Sequence, residues 1–226
     1  MKKYYEAYEE RYKTAHARGV SWAGEAATPI ILETLRRYGV APDARLLEIG
    51  CGEGRDASAV LSAGYALSAT DISPEAVSYC KAKFPEYAER FSVLDCIGGK
   101  IDEKYDFIYA VAVVHMLVED ADRDAFYGFI RAHLSDGGRA LVCSMGDGEF
   151  EIKTDPAAAF ELREREHPSG KMTVASTSCR MVSFGTFRRE IERNGLHIIE
   201  DGLTSAMPEF NSLLYAVIGK LQMKTE

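Results

Sequence analysis

The 226-residue chain has no apolar run long enough to cross a bilayer. Its longest nearly uninterrupted stretch, Phe107 to Leu117, contains His115 and falls far short of the ~20 residues a spanning helix needs, so no membrane association is expected. Cysteines are few, five in all, and none stand in C-x-x-C spacing. No thiolate metal site is expected from them. Cys51, Cys80, Cys96, Cys143 and Cys179 form an odd set. The N-terminus, with Lys2, Lys3, Glu6, Glu9, Glu10 and Arg11, has no apolar core of an export signal, and a cytoplasmic protein with reduced thiols is expected. Basic residues are outnumbered, 27 Lys and Arg against 35 Asp and Glu, for a net charge of −8. That balance argues against a phosphate-binding face for nucleic acid and favours a small-molecule partner. Repeats, low-complexity tracts and linkers are missing too, so residues 1–226 read as one domain.

What is present begins with Leu46-Leu47-Glu48-Ile49-Gly50-Cys51-Gly52-Glu53-Gly54-Arg55-Asp56, an apolar strand running into a turn with glycine at every second position. Without a Cβ, such a turn takes dihedrals closed to other residues and lets a ligand reach the backbone. Asp71 ends the next predicted strand, 21 positions beyond Gly50. This is close to the ~20-residue separation at which a βαβ unit brings an acid to a pair of ribose hydroxyls. A dinucleotide site would want glycine where Arg55 stands, and Glu48 beside a pyrophosphate would repel it. The acid suits an ammonium group.

The element pattern agrees. A helix over about Lys2–Arg18 carries Tyr4, Tyr8 and Tyr12 on one face. Thr28 as N-cap and Pro29 at the first helical position open a second helix, stopped at Gly39. Strands are predicted over Arg45–Gly50, Tyr65–Ile72, Phe91–Leu94, Asp106–Val114 and Arg139–Met145. Helices lie between them over Arg55–Ala63, from the Ser73 cap to Phe84, and up to Asp136-Gly137-Gly138. Gly148–Val182 reads as an irregular insertion, Ser183 caps a further helix, and Leu196–Ile199 with Leu213–Ile218 should pair as an antiparallel hairpin across the loop Glu200–Ser212.

The glycine turn behind Glu48, together with Asp71 and seven strands closing on an antiparallel pair, resembles the class I S-adenosylmethionine-dependent methyltransferases over roughly Arg45–Lys220. The resemblance implies an α/β fold with a seven-stranded, doubly wound, mostly parallel sheet of the Rossmann-like kind, and S-adenosyl-L-methionine as cofactor, with S-adenosyl-L-homocysteine as product. It further implies that Gly50, Cys51, Gly52 and Gly54 meet the methionine part, with Glu48 near its ammonium. Asp71 would hold the ribose, Ile72 would pack on adenine, Asp95-Cys96 would meet the adenine edge, and Ala112 would lie where the fourth strand ends. The Arg55-Asp56 pair resembles small-molecule members, and the Asn/Asp-Pro-Pro-aromatic motif of the nucleic-acid amino methylases has no counterpart here.

His115 is the candidate general base, since an imidazole near its ordinary pKa of ~6.5 takes a proton at neutral pH. Substrate contacts are expected from the N-terminal cap of residues 1–40, through Tyr8, Tyr12 and Trp22. The insertion of residues 148–182 is expected to act as a lid and to supply Arg180 as a fork for a carboxylate. The expected reaction is methyl transfer to an O, N or S atom of a small molecule by a monomer or homodimer. Protein or RNA methylation, and a cofactor-binding partner without catalysis, stand as alternatives.

Overall fold

Alternating apolar strands and amphipathic helices build an α/β sheet in the computed structural model, which describes residues 2–204 and 212–221. After a 3-10 turn at Tyr4–Glu6 come α1 (Ala7–His16), α2 (Pro29–Arg37), β1 (Arg45–Ile49), α3 (Arg55–Ser62), β2 (Ala66–Asp71), α4 (Pro74–Lys83) and β3 (Phe91–Val93). The chain continues through β4 (Tyr105–Val111), α5 (Asp120–His133) and β5 (Leu134–Met145). Four short strands follow, β6 (Ile152–Lys153), β7 (Leu162–Arg165), β8 (Met172–Ala175) and β9 (Arg180–Met181), then α6 (Phe184–Arg193), β10 (Leu196–Thr204) and β11 (Leu213–Lys220).

The seven-stranded sheet runs in the order β10-β11-β5-β4-β1-β2-β3. β1 to β5 are parallel, and β11 enters antiparallel between β5 and β10. Strand order reverses between β1 and β4, which in an open α/β sheet is where a crevice opens beyond the strands' C-terminal ends. β1 is buried on both sides because consecutive residues alternate in direction. Leu47 and Ile49 join Phe126 and Ile130 of α5 and Phe187 of α6 in one cluster. Leu46 joins Ile31 and Leu35 of α2 and Val60 of α3 in the other.

The caps fall where the sequence puts them. Ser73 Oγ accepts from the Ala76 N–H at 3.0 Å and Ser183 Oγ from the Thr186 N–H at 3.2 Å. Thr28 stands at its N-cap position without a side-chain capping bond; its hydroxyl donates to Asp56.

Four expectations are corrected. β4 stops at Val111 rather than Val114, because Ala112 adopts φ +56° and Val114–Met116 winds into a 3-10 turn, so the apolar run is a strand followed by a turn. β5 starts at Leu134: the register jumps from Tyr105 opposite Leu134 to Phe107 opposite Arg139, and the Asp136-Gly137-Gly138 segment is absorbed as an irregularity inside the strand. The insertion is not irregular, since β6 pairs with β9 and β7 with β8, both antiparallel. β10 extends to Thr204, shortening the Glu200–Ser212 loop, whose residues 205–211 lie outside the described ones.

The insertion packs behind α1. Ala7 meets Ala159 and Ala175, and Ala15 meets Met172 and Val174. Between these small contacts the buried Arg11 guanidinium donates to the Ala175 carbonyl at 2.6 Å and the Ser176 carbonyl at 2.7 Å. The N-terminal helix is thereby clamped between the sheet's rim and the β7–β8 hairpin.

Candidate functional site

At the C-terminal ends of β1, β2 and β4, roofed by the N-terminal segment, lies a cavity of about 200 Å³. Its floor is the glycine turn. Gly50, Gly52 and Gly54 all have positive φ, +74°, +52° and +79°. A Cβ at Gly50 would come within 2.4 Å of Val113 Cγ2, and one at Gly52 within 2.9 Å of the Tyr12 hydroxyl oxygen. The cradle therefore needs glycine for conformation and for space. Gly54 does a different job. It caps α3, a Cβ there would meet Cys80 Sγ and the Phe84 ring at 2.9 Å, and it does not line the cavity.

Asp71, 7% exposed, accepts from the Gly52 N–H through Oδ2 and the Ser73 N–H through Oδ1, each at 2.8 Å. It joins the end of β2 to the glycine turn, and each carboxylate oxygen keeps a further lone pair for a ligand. Burial raises its pKa against the lowering pull of the two N–H groups. Glu48 is buried beneath the turn and accepts from the Tyr109 hydroxyl at 3.0 Å. Burial and then the charge of Asp56 push its pKa well above the usual carboxylate range. A cation arriving beside it would reverse that balance.

Of the residues expected to hold a cofactor, Glu48, Gly50, Cys51 and Gly52 line the cavity from β1 and its turn, Asp71 and Ile72 from β2, Asp95 and Cys96 after β3, and Ala112 after β4. Tyr8, Tyr12 and Trp22 line it from the N-terminal segment, and His115 from the 3-10 turn. Arg180 is not among the lining residues. It donates to the Asp120 carboxylate at 2.6 Å and to the Val118 carbonyl at 3.0 Å, and borders a separate surface hollow. No lining residue comes from 148–182.

His115 is 3% exposed, and burial, aided by the Arg123 charge, lowers its pKa to about 3. A neutral imidazole therefore faces the cavity at physiological pH, where it can accept a hydrogen bond but is a weak proton acceptor. The turn that carries it is held by its carbonyls. Arg123 donates to Val114 O at 2.6 Å and Leu117 O at 3.1 Å, Ser178 Oγ donates to Met116 O at 2.6 Å, and Arg180 holds Val118 O. Arg123 is itself fixed by Glu190 of α6 through paired bonds of 2.8 and 2.6 Å, with both side chains fully buried.

One residue with structural reach escapes the sequence reading, and two others do more than it assigns them. Glu53, inside the glycine turn, accepts from the Trp22 and Ala23 N–H groups at 2.7 Å each and meets His16 Nε2 at 2.8 Å. It ties the roof to the floor. Asp56 is more than a helix-dipole partner: it accepts from the Thr28 N–H at 2.6 Å and the Thr28 hydroxyl at 3.0 Å. Tyr5 lines the cavity, 6% exposed, with the Lys3 ammonium as the charged neighbour of its hydroxyl. An acid inside a motif at odd spacing is the only sign of Glu53 in the sequence, and nothing separates Tyr5 there from Tyr4 and Tyr8.

Comparison with known proteins bears on this geometry. Residues 47–140 match the family described as Methyltransferase domain. Over 158 residues the chain is 33% identical to hemagglutinin 1 of Eikenella corrodens, with 63% of this chain and 52% of that protein aligned. The chain thus spans about half the length of that relative. Among solved structures, 1,6-didemethyltoxoflavin-N1-methyltransferase of Burkholderia thailandensis, bound to 1,6-didemethyltoxoflavin and S-adenosylhomocysteine, superposes with a TM-score of 0.70 at 16% identity, over 96% of this chain and 88% of that one. The glycopeptide N-methyltransferase MtfA, complexed with sinefungin, gives 0.67 at 19% identity, over 88% and 89%. At these identities the likeness is one of fold.

Proposed function

We propose that this chain, whose residues 47–140 match the family described as Methyltransferase domain and whose fold is shared with S-adenosylmethionine-dependent methyltransferases, moves a methyl group from S-adenosyl-L-methionine to an O, N or S atom of a small molecule. The observation that carries the reading is the pairing of a turn only glycine can form with a buried acid bonded to it: Gly50 and Gly52 leave room at the backbone, and Asp71 lies at the rim with acceptor capacity to spare.

The residues present fit the cofactor. Gly50, Cys51 and Gly52 would hold its amino-acid part by the backbone, with Glu48 beneath as the counter-charge. Asp71 would take the ribose hydroxyls, and Ile72 with Asp95 and Cys96 would flank the base. When bound, the cofactor supplies a methyl group already activated on a sulfonium. The protein's task is then to bind, orient and exclude water, which the roof of Tyr8, Tyr12 and Trp22 supports. His115, neutral in its buried turn, would hold an acceptor's N–H or O–H in line rather than carry off its proton. The net charge of −8 and the small cavity favour a metabolite over a polymer.

Titration calorimetry with S-adenosylhomocysteine tests this. The wild-type protein should bind it, and Asp71→Ala should weaken binding at least about tenfold, the loss of charged hydrogen bonds worth about 1.5–3 kcal/mol. A folded wild-type protein giving no heat would overturn the assignment.

A further inference from the structure

We infer that Ser178 is a positioning residue for the proposed methyl transfer: together with Arg11 it ties the turn bearing His115 to the roof, so that the two walls facing the acceptor move as one body. The inference rests on that reading of the site and adds what sets its acceptor side.

Lining residues that the cofactor does not claim fall mainly on two pieces of chain far apart in sequence. Tyr8 and Trp22 belong to the roof, His115 and Met116 to the 3-10 turn after β4. An acceptor held between them stays in line with a methyl group only while both keep their places, and a misplacement of about 1 Å is enough to cost rate.

One side chain holds the roof. The buried Arg11 guanidinium lies 4.7 Å from the Tyr8 ring centroid and 4.6 Å from that of Trp22. It donates to the Ala175 and Ser176 carbonyls at 2.6 and 2.7 Å and to the Thr177 hydroxyl at 3.0 Å, so a planar fork fixes two cavity-lining rings against three consecutive residues of one strap.

The same strap holds the turn. Ser178 follows directly, and its Oγ donates to the Met116 carbonyl at 2.6 Å. The strap is stiff, since the Ser176 N–H donates to Glu161 O and the Thr177 N–H to Ala159 O, each at 2.8 Å, and the Cys179 N–H to the Thr154 hydroxyl at 2.9 Å. Thr177 sits at φ +61°, a left-handed backbone that a β-branched residue keeps only where its surroundings enforce it. A displacement at the Arg11 end therefore reaches Met116 instead of being absorbed between them. Tyr4 adds a tie just past the turn, where its hydroxyl accepts from the Val118 and Glu119 N–H groups at 3.1 and 3.2 Å, so the strap's own effect is read on residues 113–117.

Hydrogen exchange on the ligand-free protein tests the coupling from both ends. Arg11→Lys loses the fork without touching the turn, and amides of residues 113–117 should exchange several-fold faster. Ser178→Ala loses one hydroxyl without touching the roof, and residues 7–16 should quicken by a similar factor while β1 and β2 stay as in wild type. The NMR signals of the His115 ring should move in both variants, and those of His133, bonded to the Phe129 and Ile101 carbonyls, in neither. Ser178→Thr keeps the hydroxyl and should restore wild-type behaviour. A change confined to the roof in Arg11→Lys, or to the turn in Ser178→Ala, would overturn the inference, and Ser178→Ala alone decides it if Arg11→Lys does not fold. Ser178→Ala should also bind S-adenosylhomocysteine within about threefold of wild type, and a larger loss would mean that these walls serve the cofactor, which overturns it as well. Failure of the wild-type protein to bind S-adenosylhomocysteine would instead overturn the reading beneath.

Discussion

At the scale of single residues, His115 illustrates how burial redefines a side chain. Its composition suggests a base, but the 3-10 turn seats it beside Arg123 and drives its pKa from 6.5 to about 3. The sign of the consequence is fixed by linkage. Between pH 6.5 and about 3 the unfolded chain binds a proton at this position that the folded chain refuses, so stability is complete above pH 6.5 and falls as pH drops through that window, by about 1.4 kcal/mol per unit at most. Urea titrations at pH 7 and pH 5 should show His115→Gln losing less stability on acidification than wild type. An equal loss in both would mean the imidazole is not held neutral. The ring's own NMR signals should likewise stay unprotonated across pH 5–8.

The same scale shows what was legible. Gly50, Gly52 and Asp71 are readable from sequence because their work depends on backbone freedom and on spacing along one βαβ unit, both local properties. Arg180 was expected in the substrate site and Glu53 was not singled out, because which way a guanidinium or carboxylate turns is decided by partners far along the chain. Arg180's partners, Val118 and Asp120, lie about 60 positions away, and Glu53's, at Trp22 and Ala23, about 30.

At the scale of elements, the turn after β4 depends on α5, α6 and the insertion. Periodicity locates these helices through Phe126 and Ile130 or Phe187 and Ile191, but it does not reveal that Arg123 and Glu190 are buried between them and support the turn's carbonyls. An ion pair with both members inaccessible is costly to break on one side, since the survivor is left charged in an apolar interior. Arg123→Met should therefore cost about 3–5 kcal/mol in urea denaturation. Pairing it with Glu190→Leu should recover much of that loss, giving a coupling energy far from zero in the double-mutant cycle. The double variant would still lack the donor to Val114 O and Leu117 O, so the turn bearing His115 should exchange its amide protons faster than in wild type. Additive single effects would show that the pair does not act as a unit.

At the scale of the whole molecule, the seven-stranded sheet is covered by a segment that precedes it in the chain, and that segment is braced by the insertion between β5 and α6. The roof is held at two levels. Glu53 grips the Trp22 and Ala23 amides and His16 from the cavity side, while Arg11 reaches the Ala175 and Ser176 carbonyls on the far side. Tyr12 and Trp22 line the cavity beside the glycine turn, so the Glu53 contacts should set how readily the roof moves aside for a ligand. Glu53→Ala removes the acceptor of two backbone amides without touching the β7–β8 hairpin behind α1, and the roof should loosen while the sheet stays intact. Hydrogen exchange should then quicken over residues 4–24 and remain unchanged in β1, β4 and β5. Because Trp22 is the chain's single tryptophan, its emission reads the same event directly and should shift red as the indole meets water. S-adenosylhomocysteine should slow the exchange of residues 4–24 in wild type. If Glu53→Ala leaves that exchange untouched, the roof is held by the insertion alone, and access to the cavity is governed from behind α1 rather than from within the site.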